Sequence, residues 1–495
     1  MRRRDFLTAA GATAALGWSS RASAAWGDAP SASASLLLGP GERAERCLEL
    51  FLYGGMASFE SFYVAPDYGR PDDANPAWRD TQWYLFRQEH ARVYGDCGFG
   101  PESSWLTPFA TDANGTMVHL GPMVQALSSR PDILARMRVV VVRHDFTPHE
   151  AAVPYAMTGL RLGNPRMAGL GTHIQRYHID RASRIEPYSY VLSPTNDDPT
   201  FNTKTCTAVG QHPGLARPLQ IVCSGDMSLG ELLGRNKVGA DAARVDPLLM
   251  HYAQRDLDRY VDPAGKALRA RTLGDHHFAM DSLTNAPALA ELLGGDLFVS
   301  GSGRVCGVTN PTDVSGMTIE AAVELLTHPT SAAKYVNVID GGYQFYAGLA
   351  YDSHAAHVDT HSINQNHLWQ ALAAKINEPG EVDDRKLNLD DTLILINAEF
   401  GRTPFLQFAG GTNHHPYGYV AVMIGGPVQQ GLYGAIGPDG NAEVYASPSE
   451  VKAACLAALG IYPFSAESFA VGDLQNAGSE AEGLAWLNEN MLGRV

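Results

Sequence analysis

Five short runs dominate the hydrophobic pattern of this chain: CLELFLYGG at 47–55, RVVVVRHD at 138–145, KYVNVIDGG at 334–342, TLILINAEFG at 392–401 and YVAVMIGG at 419–426. Each is apolar on both faces and closed by glycine or a polar cluster, the pattern of strands buried on both sides in a parallel sheet. Helical spacing appears between or after them, in TIEAAVELL at 318–326, HLWQALAAKI at 367–376 and PSEVKAACLAAL at 448–459. In the last of these Ser447 serves as N-cap, Pro448 fits the first helical position, Glu450 completes a capping box and Gly460 ends the helix. Strands alternating with helices predict an α/β fold with a mostly parallel central sheet sandwiched by helices. This domain is expected over 45–465. Residues 185–315 alternate less and read as an insertion or cap, 377–390 as an exposed loop, 25–44 as a flexible leader and 466–495 as a C-terminal tail.

The first 24 residues have a different character. Arg2, Arg3 and Arg4 precede Asp5, Phe6 and Leu7, a short apolar stretch follows, and Ala22-Ser23-Ala24 forms an A-x-A cleavage site. This is the pattern of a twin-arginine (Tat) export signal, which implies a periplasmic or secreted protein. The apolar run from Leu7 to Trp18 is about twelve residues, too short for the roughly twenty that span a bilayer, and no later segment is long and apolar enough. A formal net charge of −16 argues against nucleic acid or an anionic membrane surface as the main partner. Six scattered cysteines without a C-x-x-C pair argue against a zinc knuckle or a thioredoxin-like motif. Cys47 and Cys455 sit in apolar surroundings and read as core thiols. Cys97, Cys206, Cys223 and Cys306 are free to pair in an oxidising compartment, in a connectivity left open.

In open α/β sheets ligands bind beyond the carboxyl ends of strands. The residues there are rich in metal-ligand types: Gly54, Gly55, Ser58 and Glu60 after the first run, then His144, Asp145, Thr147, His149 and Glu150 after the second. Asp352, Ser353, His354, His357, Asp359 and His361 follow the third, Glu399 and Arg402 the fourth, and Asn413, His414 and His415 precede the fifth. Imidazoles and carboxylates converging from separate strand ends suit a divalent ion such as Zn²⁺ or Mn²⁺. A polar pocket without metal and a purely structural hydrogen-bonded network are the alternatives. Arg402 has two readings, an ion pair with Glu399 across the turn and a guanidinium that binds an oxyanion. His149 opens a helix reaching Thr158-Gly159, a place where a neutral imidazole serves as ligand or nucleophile; Pro154 inside that helix costs it a hydrogen bond.

These residues fall into motifs: Gly54, Gly55 and Glu60; His149, Thr158 and Gly159; Asp352-Ser353-His354; E-F-G-R-T-P from Glu399 to Pro404; and Gly410 to Pro416 with its H-H-P. With them the chain resembles, from about 45 to 465, a large bacterial family catalogued as a domain of unknown function within the alkaline-phosphatase and sulfatase-like superfamily. The resemblance implies an alkaline-phosphatase-like sheet with its site at the carboxyl edge. In active members the residue ten before the T-G glycine is the nucleophile, and that register falls on His149. The superfamily's Asp-His metal pair falls near Glu399-Phe400, where phenylalanine cannot ligate, and a later metal-binding histidine matches His414. Asp352 and His354 supply ligands of the other part. Glu60 and Asn413 stand where Asp is common, so the resemblance leaves a reduced site of Glu60, His149, Asp352, His354, Glu399 and His414.

The expectation is a periplasmic, metal-dependent hydrolase of a phosphate, sulfate or related ester. Glu60, Asp352, His354, Glu399 and His414 would be its metal ligands and His149 and Arg402 its catalytic residues. The substrate would be a small-molecule or polysaccharide ester. The rival is a non-catalytic exported module that keeps the fold to bind a polysaccharide or an exported protein partner. An oxidoreductase is disfavoured, since no G-x-G-x-x-G follows the first strand and no C-x-x-C-H occurs.

Overall fold

A computed structural model describes residues 25–68, 91–182, 187–194, 212, 217–223, 247, 251, 255, 292, 295–298, 301–343, 351–407 and 410–494. All five apolar runs form strands: β1 (Arg46–Leu52), β2 (Met137–Val142), β5 (Tyr335–Asp340), β6 (Thr392–Asn397) and β7 (Tyr419–Gly425). Three more, β3 (Ser189–Pro194), β4 (Leu219–Cys223) and β8 (Gly431–Tyr433), complete an eight-stranded sheet in the order β8-β2-β7-β6-β1-β5-β3-β4. The sheet is mixed, which corrects the expectation of a mostly parallel one: β7 runs antiparallel to both β2 and β6. Among the described residues between β6 and β7 no helix carries the chain back across the sheet, and β7 returns in the opposite sense. As a consequence the segment before β7, with His414, reaches the same edge as the segments after β1, β2 and β6.

Side-chain alternation splits the sheet into two apolar faces. Leu48, Leu50, Val139, Val141, Val336, Val338, Ile394, Ile396, Val420 and Val422 pack on one side with Leu368, Trp369 and Leu372 of a long helix. Cys47, Val140, Val142, Leu393, Leu395, Ala421 and Met423 pack on the other with Val451, Cys455 and Leu456. Helices therefore cover both faces: α1 (His149–Thr158), α2 (Leu170–Ile179), α3 (Val314–Thr327), α4 (His357–Ala374), α5 (Pro448–Ala458) and α6 (Glu480–Trp486). The capping box at Ser447 and Glu450 is formed as the sequence predicts, and Pro154 is accommodated inside the ten-residue α1.

Three boundaries differ from expectation. Residues 25–44 are held to the body, because Trp26 is buried, donates from Nε1 to the Ala466 carbonyl at 2.7 Å and stacks on His173. The tail from 466 onward belongs to the core, with Leu484, Leu487, Met491 and Leu492 buried against the α5 side of the sheet. The stretch read as an insertion supplies β3 and β4 to the sheet itself; most of the remainder of 185–315, including Cys206, lies outside the described residues. Cys47 and Cys455 are buried free thiols, and Cys97 pairs with Cys306 in a disulfide. Among the described residues no helix is long and apolar enough to cross a membrane.

Candidate metal centre

The turn after β1 prepares the site. Gly54 and Gly55 adopt φ of +113° and +99°, conformations that glycine reaches without Cβ strain. A Cβ on Gly54 would lie 2.2 Å from the Asp352 amide nitrogen, so the glycine lets two backbone segments meet. The freed Gly54 N–H donates to Glu399 Oε1 at 2.7 Å, and its carbonyl accepts from Arg402 Nη1 at 3.1 Å.

Around Asp352 three imidazoles converge. His149 Nε2 lies 3.3 Å from Oδ2, and His414 Nε2 and His354 Nε2 lie 3.0 and 3.1 Å from Oδ1. One ligand atom each of His149, Asp352 and His414 falls within 4.8 Å of the others. The remaining nitrogens are fixed from behind. His414 Nδ1 is 2.8 Å from the Thr147 carbonyl, an oxygen that only accepts, so this nitrogen carries hydrogen. His149 Nδ1 is 2.8 Å from Glu399 Oε1, which already accepts the Gly54 amide, and it too takes the donor role. With both Nδ1 atoms donating, neutral rings turn bare Nε2 lone pairs toward a carboxylate. Acceptor then faces acceptor, and either a proton or a cation must stand between them.

The electrostatics respond in the same sense. Burial alone would lower the His149 pKa, but hydrogen bonds with Asp352 and Glu399 carry it up to about 9. Burial alone would raise Asp352, yet hydrogen bonds with His149 and His414 and the Arg402 charge hold it well below the usual carboxylate range. Ring packing fixes the imidazoles: Tyr53 stacks on His149 at 5.3 Å, and Phe400 stacks on His414 at 4.2 Å. His144 supports the Glu399 backbone, its Nε2 lying 2.6 Å from the Glu399 carbonyl, and burial lowers its pKa to about 4.

The expected site residues separate into three groups. His149, Asp352 and His414 meet at one point. His354 touches the same carboxylate from the rim, with 51% of its side chain exposed. Glu399 stands behind His149, in contact with its Nδ1.

Two expectations are corrected. Arg402 does not pair with Glu399; fully buried, it spends Nη1 on Asp352 Oδ1 (2.8 Å) and Gly54 O, and Nε and Nη2 on Thr412 Oγ1 and O. A guanidinium so engaged orients Asp352 and is not presented to an oxyanion. Glu60 lies outside the converging group, 3.2 Å from His357 Nε2. The other ring nitrogen of His357 meets Ser353 Oγ and Thr412 Oγ1 at 2.8 and 2.9 Å. Burial pushes the Glu60 carboxyl up to about 8. This second network through His357, His361, Ser353 and Thr412 was missed as a unit in the sequence; its signal is the His357/His361 spacing, which puts both imidazoles on one face of α4.

Residues 329–476 match the model of a family described as "Protein of unknown function (DUF1501)". The matched segment contains Asp352, His354, Glu399, Arg402 and His414, whereas Glu60 and His149 precede it. No curated protein and no solved structure matches the chain.

Proposed function

We propose that this protein is a metal-dependent hydrolase of a phosphate, sulfate or related ester, built on an alkaline-phosphatase-like sheet and exported to the periplasm by the Tat signal in residues 1–24. The observation that carries the reading is the convergence of His149 Nε2, His414 Nε2 and Asp352 with both Nδ1 atoms committed to acceptors. Such a mixed N and O set fits Zn²⁺ or Mn²⁺, and the backing of each imidazole by an acceptor is the outer-shell arrangement that metal-binding histidines use. When bound, the ion supplies Lewis acidity toward an ester oxygen and lowers the pKa of a water.

The residues themselves divide the remaining work. His149, Asp352 and His414 hold the ion; with both ring nitrogens occupied, His149 acts as a ligand and not as a nucleophile. Arg402 donates to Asp352 Oδ1 and so orients the carboxylate that would help hold the ion. His354, on the rim, is placed to meet substrate. Charge favours an anion: Arg402 offsets Asp352, Glu399 leaves the site one negative charge over, and a divalent ion turns that balance to about +1. The N-terminus of α1 adds partial positive charge beside His149.

The test is hydrolysis of aryl phosphates and aryl sulfates by protein loaded with Zn²⁺ or Mn²⁺. Activity with one ester class, abolished in Asp352→Asn and His414→Ala variants that remain folded, is expected. Inactivity of the loaded protein toward both classes would overturn the hydrolase and favour the binding module.

A further inference from the structure

Glu399 is an expensive residue to keep. It is fully buried at the carboxyl edge of β6, and its Oε1 accepts from the Gly54 amide and from His149 Nδ1 at 2.7 and 2.8 Å. Its Oε2 is buried with no hydrogen-bond partner among the described residues. Arg402, the nearest candidate counter-ion in sequence, is turned to Asp352 instead. A glutamine would satisfy the Gly54 amide and the imidazole equally well through its carbonyl oxygen, without placing an incompletely paired carboxylate in the interior. What only the carboxylate supplies is negative charge against the back of the imidazole, and that charge makes the opposite nitrogen a stronger donor to a cation.

Resting on the metal-site reading above, we infer that Glu399 is a positioning residue that sets the affinity of the His149–Asp352–His414 site for a divalent ion, acting through His149 and not as a ligand. Three features act together on that one ring. Glu399 fixes the tautomer from behind, Tyr53 stacks on one side at 5.3 Å, and Phe400 packs against it with ring centroids 5.0 Å apart. Gly54 in turn fixes Glu399, since its amide takes the same oxygen and its backbone passes against Asp352. The glycine pair after β1 thereby couples the ligand carboxylate to the residue that tunes the ligand imidazole.

The experiment titrates metal-free full-length protein with Zn²⁺ against a chromogenic chelator, and with Co²⁺ followed by its visible absorption bands. Wild type is expected to take one ion. Glu399→Gln is expected to take one ion with affinity lower by about 10- to 100-fold, and Glu399→Asp, whose carboxylate is drawn back from His149, is expected to lose affinity as well. In a His149→Ala background the Glu399→Gln effect should vanish. Equal affinity of wild type and Glu399→Gln, or an undiminished effect in the His149→Ala background, overturns the inference alone. A folded Glu399→Gln protein that takes no ion at saturating metal would make Glu399 a direct ligand and also overturn it. A wild type that takes no ion overturns the metal-site reading itself, and the inference with it. Should Glu399→Gln fail to fold, Glu399→Asp and its combination with His149→Ala decide the question by the same comparison.

Discussion

Two carboxylates expected to share one centre carry opposite electrostatic signatures. Asp352 is held ionised by His149, His414 and Arg402, whereas Glu60, buried beside His357, keeps its proton into the neutral range. The difference yields a pH dependence of defined sign. The folded pKa of Glu60, about 8, lies above the ordinary carboxyl value of 4.5, so between these values the fold holds a proton that the unfolded chain releases. Its contribution to stability is fully present below about pH 4.5 and is lost as pH rises through 8, at about 1.4 kcal/mol per pH unit where the two states differ by one proton. Glu60→Gln keeps the shape and removes the proton. The stability of wild type relative to this variant, from urea denaturation at pH 5, 6, 7 and 8, should fall as pH rises. A difference independent of pH would contradict a neutral buried Glu60. Residue identity alone does not reveal this split, because a Glu in the loop after a strand end looks the same whether its oxygen meets an ion or a buried imidazole.

Elements were the more legible scale. The strands could be read because each is apolar on both faces and short, and α5 because Ser447, Pro448 and Glu450 announce its start. The Ser447 amide donates to Glu450 Oε2 at 2.6 Å and Ser447 Oγ accepts from the Glu450 amide at 3.4 Å. Ser447→Ala should therefore cost about 1 kcal/mol, measured by urea denaturation; no loss would mean that packing alone fixes the start of α5. The orientation of β7 was harder to read, since YVAVMIGG is equally apolar in either direction. The signal lay in the Gly-, Pro- and His-rich stretch 398–418, among whose described residues there is no helix of the kind a parallel return requires. Leu484, Leu487 and Met491 recur at helical spacing in the tail, but the polar composition around them masked it. Trp26 was opaque for another reason: its partner carbonyl lies 440 residues away, and no local pattern encodes such a contact. His149, Asp352 and His414 were legible as ligand types at strand ends. The supporting position of Glu399 was not, because it depends on which oxygen faces which nitrogen.

At the scale of the molecule, parts distant in sequence close around one sheet edge. The disulfide between Cys97 and Cys306 spans 209 residues, and closing so long a loop restricts the unfolded chain. Its reduction should lower stability by about 4 kcal/mol, seen as a shift in urea midpoint with and without reductant, and an unchanged midpoint would show that the link adds nothing. The centre is assembled in the same long-range manner. His149 comes from the segment after β2, Asp352 from the turn before α4 and His414 from the approach to β7, so the site exists only when β1, β2, β6 and β7 have found their order. The most direct test is the metal content of the full chain, purified folded without chelator and measured beside His414→Ala and Asp352→Asn. One divalent ion per wild-type chain, lost in both variants while the fold is retained, is the predicted result. A wild type without metal, or variants that keep the same ion, would contradict the account.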